Sequence, residues 1–161
     1  MNVRDAETNE VERLAQLWYD GWCDAHLKIV PAELTRIRTP ESFRHRMRAA
    51  INDVRVAGPA GAPVGFYLLK DDELYQFYVS AAARGTGVAA ALIADAETRL
   101  AENGVETAWL GCAIGNERAA RFYEKSGWHR ARTFVSDLET SSGIFRLEVW
   151  RYEKRLQLSL R

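Results

Sequence analysis

Apolar residues change their spacing along this chain, and each change marks an element. In the N-terminal third, Val11, Leu14, Ala15, Leu17, Trp18 and Trp22 recur at helical intervals, with Asn9 or Thr8 as candidate N-caps. A second helix is expected after Pro40, carrying Phe43, Met47 and Ile51, while Asp24–Thr39, broken by Pro31, reads as irregular. The period then falls to two. Asp53–Ala57 and Val64–Leu69 alternate as strands on either side of Gly58-Pro59-Ala60-Gly61-Ala62-Pro63, a hairpin-type connection. Asp71-Asp72 turns the chain into a third strand, Glu73–Val79, rich in aromatics.

Beyond that strand the helical period returns. Val88, Leu92, Ala96 and Leu100 share one face of a helix that Asn103-Gly104 terminates. Ala108–Ala113 is a continuous apolar run of buried-strand type. Asn116 caps a short helix through Tyr123, closed by Gly127. Strands around Thr133–Leu138 and Phe145–Tyr152 then flank a Thr140-Ser141-Ser142-Gly143 turn. The unit from Glu73 to Ala113 forms a right-handed crossover with parallel strands, and the other, shorter connections are antiparallel. The expected fold is α/β: a mixed six- or seven-stranded sheet with helices on both faces. A strand ahead of the first helix is left open, and one domain spans residues 1–161.

Candidate chemistry begins at Arg84-Gly85-Thr86-Gly87-Val88-Ala89, where strand gives way to helix. Two glycines one residue apart let the backbone turn sharply and approach a ligand closely. The helix that follows aims its unpaired N–H groups and positive dipole end into the turn, which makes a phosphate cradle. No GxxxxGK[ST] is present, so a P-loop is excluded. A dinucleotide site places its glycines after the first strand of a βα array, with an acidic residue about 20 residues on. Glu106 lies at that kind of distance, but only one βαβ unit exists.

Composition narrows the partners. The 161 residues hold 22 Lys plus Arg against 22 Asp plus Glu, so no global field attracts nucleic acid or an acidic membrane. No apolar stretch approaches the roughly 20 residues of a membrane span, and no signal-type h-region opens the chain. Cys23 and Cys112 are too far apart in sequence to suggest a CxxC pair, a disulfide framework or a metal site. A cytoplasmic, metal-free protein without nucleic-acid or membrane partners is expected.

A second motif lies downstream: Asn116-Glu117-Arg118-Ala119-Ala120-Arg121-Phe122-Tyr123-Glu124-Lys125-Ser126-Gly127-Trp128. Together with Arg84–Ala89, it resembles the GCN5-related N-acetyltransferases (GNAT superfamily). Arg84–Ala89 fits that family's Q/R-x-x-G-x-G/A motif, and Asn116–Trp128 fits its N-x-x-A-x-x-F-Y-x-x-x-G-F/W segment. The likeness is close from Val64 to Trp128.

The resemblance implies acetyl-CoA as co-substrate, its pyrophosphate on the backbone of Arg84, Gly85, Thr86, Gly87, Val88 and Ala89. It implies a pantetheine arm between splayed strands at Glu73–Val79 and Ala108–Ala113, with a backbone donor near Tyr78 or Val79 as oxyanion hole. Tyr123 matches the family's general acid, although a packing aromatic is the alternative. Asn116 is a helix cap, a cofactor contact or both. Glu73 matches the catalytic base of some members, acting through a water that Tyr75 and Gln76 could order instead; its other reading is a solvated turn acid.

Trp22, His26 and Tyr75 are candidate substrate contacts, with core packing the competing role for the tryptophan. Neither cysteine has an activating neighbour, so direct transfer is expected over an acyl-cysteine. The expected acceptor is the primary amine of a small molecule. Alternatives are a protein N-terminus or lysine, another acyl group or an oxygen acceptor, and a non-catalytic acetyl-CoA sensor. A homodimer follows by analogy alone.

Overall fold

A computed structural model of the protein describes residues 2–157. A short edge strand, β1 (Val3–Asp5), precedes a 3-10 turn over Thr8–Glu10 and helix α1 (Val11–His26). Neither Asn9 nor Thr8 caps the helix; that position is held by Glu10. Glu10 is 1% exposed, yet four donors satisfy it. Arg4 reaches it at 3.0 and 2.8 Å, the Glu7 N–H at 2.8 Å and the Gly61 N–H at 3.0 Å. Those donors hold its carboxyl down at about 2, and they clamp the N-terminus to the connection after β2 (Val54–Ala57).

The stretch expected to be irregular is largely helical. Helix α1 runs on through His26, and a further short helix, α2 (Ala32–Ile37), starts after Pro31. Six residues are too few for a 3.6-residue period to register, which is why the pattern missed it. Helix α3 (Pro40–Ala50) begins as expected: Pro40 sits in its first turn and the Thr39 hydroxyl accepts from the Ser42 N–H at 3.2 Å.

The remaining elements are β3 (Gly65–Lys70), β4 (Glu73–Val79), α4 (Val88–Glu102), β5 (Thr107–Ala113), α5 (Glu117–Lys125), β6 (His129–Thr140) and β7 (Gly143–Arg155). The last two run well past the expected strands, because their outer ends are largely exposed and lack an apolar contrast. All seven strands form one sheet in the order β1-β2-β3-β4-β5-β7-β6. Among the described residues only β4 and β5 are parallel, as the crossover through α4 requires. Helices α4 and α5 cover one face over Leu92, Ala96, Leu100, Leu110 and Tyr152. On the other face, α1–α3 pack over Leu14, Trp18, Phe43, Met47 and Phe66.

One irregularity sets up the site. Leu68 pairs with Gln76 but Leu69 pairs with Leu74, so Tyr75 is an extra residue in β4, a β-bulge. The bulge resets the alternation of the strand. Leu74 and Phe77 face the α4 core, while Tyr75 and Tyr78, three residues apart, both face α1 and α3. In an unbroken strand they would point to opposite sides.

Candidate active site

Strands β4 and β5 pair at a single position, Glu73 with Trp109, where the Trp109 N–H also donates to Asp72 O at 3.2 Å. Beyond it they part. The Ser80 N–H donates to Val64 O at 2.8 Å, so alternation turns the N–H groups of Val79 and Phe77 away from β3 and into the gap. Of the two positions expected to supply a free donor, the geometry selects Val79 over Tyr78.

The gap holds a cavity of about 80 Å³ lined by His26, Tyr75, Tyr78, Cys112, Asn116 and Tyr123. Five of the expected site residues therefore meet there, from α1, β4, the cap of α5 and α5 itself. The cavity is dry. Burial pushes the Cys112 thiol up to about 12 and the phenols of Tyr78 and Tyr123 well above their usual range. Burial holds His26 down at about 4, so its imidazole is neutral near pH 7. The His26 Nδ1 lies 3.0 Å from Trp22 O, which places the proton on Nδ1 and leaves Nε2 as an acceptor.

Tyr123 makes edge contacts with Phe77 and Trp128, so its ring packs in the core, and it also lines the cavity. Asn116 caps α5, its Oδ1 accepting from the Ala119 N–H at 3.4 Å, and it also lines the cavity. Trp22 lies elsewhere. It is 7% exposed, packs on Phe43, and reaches the cavity only through its contact with the His26 ring. Glu73 stands at the closed end of the gap, on the same face of β4 as Tyr75, and does not line the cavity. Burial pushes its carboxyl up to about 7, with Asp72 adding to the shift and Lys70 and Arg151 opposing it.

At the open end lies the glycine turn. Gly85 and Gly87 hold φ of +77° and +88°, which an L side chain adopts only under strain. A Cβ at either would meet no atom within 4 Å, so the turn is open toward solvent and its glycines answer to backbone conformation alone. The first bond of α4 runs from the Ala91 N–H to Gly87 O at 3.1 Å, leaving the N–H groups of Val88, Ala89 and Ala90 without helical partners. Thr86 spends its hydroxyl on Ala83 O, and the Val88 side chain is buried, so both can offer a ligand mainly backbone. Arg84 reaches sideways to Asp24 on α1.

A second, larger cavity of about 790 Å³ opens between α3, β3 and the tip of the β6–β7 hairpin. Tyr75 lines both cavities. Trp18, Arg38 and Arg46 contribute to its wall, and neither arginine stood out in the sequence, where arginines are frequent and nothing local marks a buried one.

The profile of the Acetyltransferase (GNAT) family matches residues 11–128. Uncharacterized N-acetyltransferases of Mycobacterium tuberculosis and Mycobacterium bovis are each 35% identical over 112 residues, covering 65% of this chain and 69% of the relative. Among solved structures, a GCN5-related N-acetyltransferase of Rhodopseudomonas palustris superposes with a TM-score of 0.74 at 18% identity, over 96% of this chain and 95% of that one. The PaiA N-acetyltransferase of Thermoplasma acidophilum, solved with coenzyme A, gives 0.70 at 17% identity over 96% and 98%. The YncA acetyltransferase of Salmonella typhimurium, solved with acetyl-CoA, gives 0.69 at 14% identity over 100% and 96%. The chain belongs to the GNAT family of acetyltransferases and is an acyltransferase.

Proposed function

We propose that this protein transfers the acetyl group of acetyl-CoA directly to the primary amine of a small molecule. The observation that carries the reading is the single-pair contact of β4 with β5, which opens a gap whose floor is Tyr123 and whose open end is the glycine turn. Coenzyme A and acetyl-CoA in the PaiA and YncA structures support it. The residues present suit that co-substrate: unpaired N–H groups of Val88, Ala89 and Ala90 for a pyrophosphate, and an edge with free donors for the amide-bearing arm.

Acetyl-CoA supplies a thioester carbonyl open to amine attack. The N–H of Val79 would steady its oxygen. As the new C–N bond forms and the C–S bond breaks, Tyr123 would give its proton to the sulfur. Burial raises the Tyr123 phenol well above its usual range, so it would give up its proton only in concert with C–S cleavage, as negative charge develops on the sulfur.

An alkyl amine is neutral only about once in 2,500 molecules at pH 7, so its proton needs a destination. Glu73, with its carboxyl raised to about 7, would accept it through water ordered by Tyr75 and Gln76. The neutral His26 adds an acceptor at the same wall. The test is release of free CoA from acetyl-CoA over a broad amine screen. A protein that only senses the co-substrate would bind it, protect it and release none.

A further inference from the structure

The wall of the larger cavity carries a charge arrangement that nothing in the acetyl-transfer chemistry uses. Arg38 is 5% exposed, and its one hydrogen bond within the described residues runs from Nη1 to the backbone carbonyl of Glu139 at 3.1 Å. No carboxylate among the described residues pairs with it. Arg46 lines the same cavity, stacked 4.2 Å over the Trp18 ring and likewise without a carboxylate partner. Its charge adds to the burial that holds the Arg38 guanidinium down at about 10.

Buried cations without a counter-charge are costly, and chains seldom keep them without an anion to meet. The acids along this cavity do not answer that need: Glu41 is held by Arg44, and Asp53 and Glu139 are exposed at the rim. The two signs are separated by depth. Trp18, 2% exposed in the same wall, keeps an indole N–H with no partner, which is a further donor in search of an acceptor.

We propose that this cavity holds an oxyanion of the acceptor, so that the acceptor is a small amine also bearing a carboxylate or a phosphate. The inference rests on the acetyl-transfer reading above and names the substrate class for it. A guanidinium fork suits either anion, and a volume of about 790 Å³ lies in the range of small-molecule sites. Tyr75, shared by both cavities, marks the route: the anion stays at Arg38 and Arg46 while the amine passes Tyr75 to the gap between β4 and β5.

The experiment compares ω-amino acids of increasing length with their amides, and aminoalkyl phosphates with the parent amino alcohols, by CoA release. An acid is expected to exceed its neutral counterpart in kcat/KM by about tenfold or more. In Arg38→Met that ratio falls toward one; a purely structural role would lower both members of a pair and leave the ratio standing. Arg46→Met serves as the second variant if Arg38→Met does not fold. The series that shows the arginine-dependent ratio identifies the anion. A ratio near one in the wild type, or one unmoved by both variants, overturns the proposal. If no amine of any kind releases CoA, acetyl transfer itself fails. Calorimetric titration of the CoA-loaded protein with the acids and amides then decides separately, equal binding of the two overturning the anion site.

Discussion

Arg84 donates to Asp24 at 2.7 Å, and Arg118 donates to the same carboxylate at 3.0 Å. The pair ties the glycine turn and the start of α5 to the C-terminal end of α1, and holds the Asp24 carboxyl below its usual range. It also parks an anion beside the place where a pyrophosphate is expected. Asp24 is half exposed, so the link contributes no more than about 1 kcal/mol to stability. Asp24→Asn should therefore leave the fold intact and tighten acetyl-CoA binding up to about fivefold, by freeing two arginines for phosphate. The gain should shrink between low and high salt. Unchanged or weaker binding would show that Asp24 positions Arg84 and does not compete for it.

Gly87→Asp places a carboxylate and a strained left-handed backbone at the start of α4. Space around the position is open, so the protein should still fold, with a loss of about 1–2 kcal/mol. Acetyl-CoA binding, read by calorimetry, should disappear. A folded variant that binds normally would move the pyrophosphate off this turn.

Tyr123→Phe removes the phenol hydroxyl and keeps the ring contacts with Phe77 and Trp128. Turnover should drop about 100-fold while acetyl-CoA affinity stays within about twofold. An unchanged rate would leave Tyr123 with packing alone.

Glu73 makes a prediction in two observables. Its carboxyl is raised by burial to about 7 in the fold, so the folded protein holds that proton more tightly than the unfolded chain does. Its contribution to stability is full below about pH 4 and is lost as pH rises through 7. Glu73→Gln should thus gain stability over wild type on going from pH 4 to pH 8, by about 1–2 kcal/mol after allowance for partial solvent exposure. In kinetics, activity of the wild type should rise with pH through about 7, and the variant should lose that limb. A variant with the same profile and height would assign the base elsewhere.

Gly21 lies on α1 where the helix presses on β4, and a Cβ there would sit 2.7 Å from Tyr78 Cδ1. Alanine is otherwise the better helix former by about 1 kcal/mol. Overpacking should win: Gly21→Ala is expected to cost about 1–2 kcal/mol in urea unfolding and to disturb the ring that lines the cavity. A stabilised variant would mean that α1 rides up at no cost.

What could be read in advance was what local backbone demands of residue type. Gly85 and Gly87 are required by positive φ, Asn116 by capping, Pro40 by a helix start, and each is legible one residue at a time. The long apolar period of α4 was equally plain. What escaped depended on distant partners. Glu10 is an ordinary glutamate until Arg4, Glu7 and Gly61 converge on it, and Arg38 is one arginine among many until Glu139 of the hairpin covers it. Trp22 and Trp18 share a helix face, and only the placement of α3 and β3 decides that Trp18 meets a cavity and Trp22 does not.

The extra residue at Tyr75 works as a change of phase within a single strand. Upstream of it one parity of sequence position belongs to the α4 core, and downstream the opposite parity does. Deleting that one residue would close the ladder with β3, Leu74 and Gln76 becoming neighbours opposite Leu69 and Leu68, and would leave Leu74, Phe77 and Tyr78 on the faces they now hold. What would be lost is Tyr75, the side chain that lines both cavities. Tolerance to substitution along β4 should follow the same broken parity, so that a mutational scan of seven consecutive positions would display the stagger as a skipped beat.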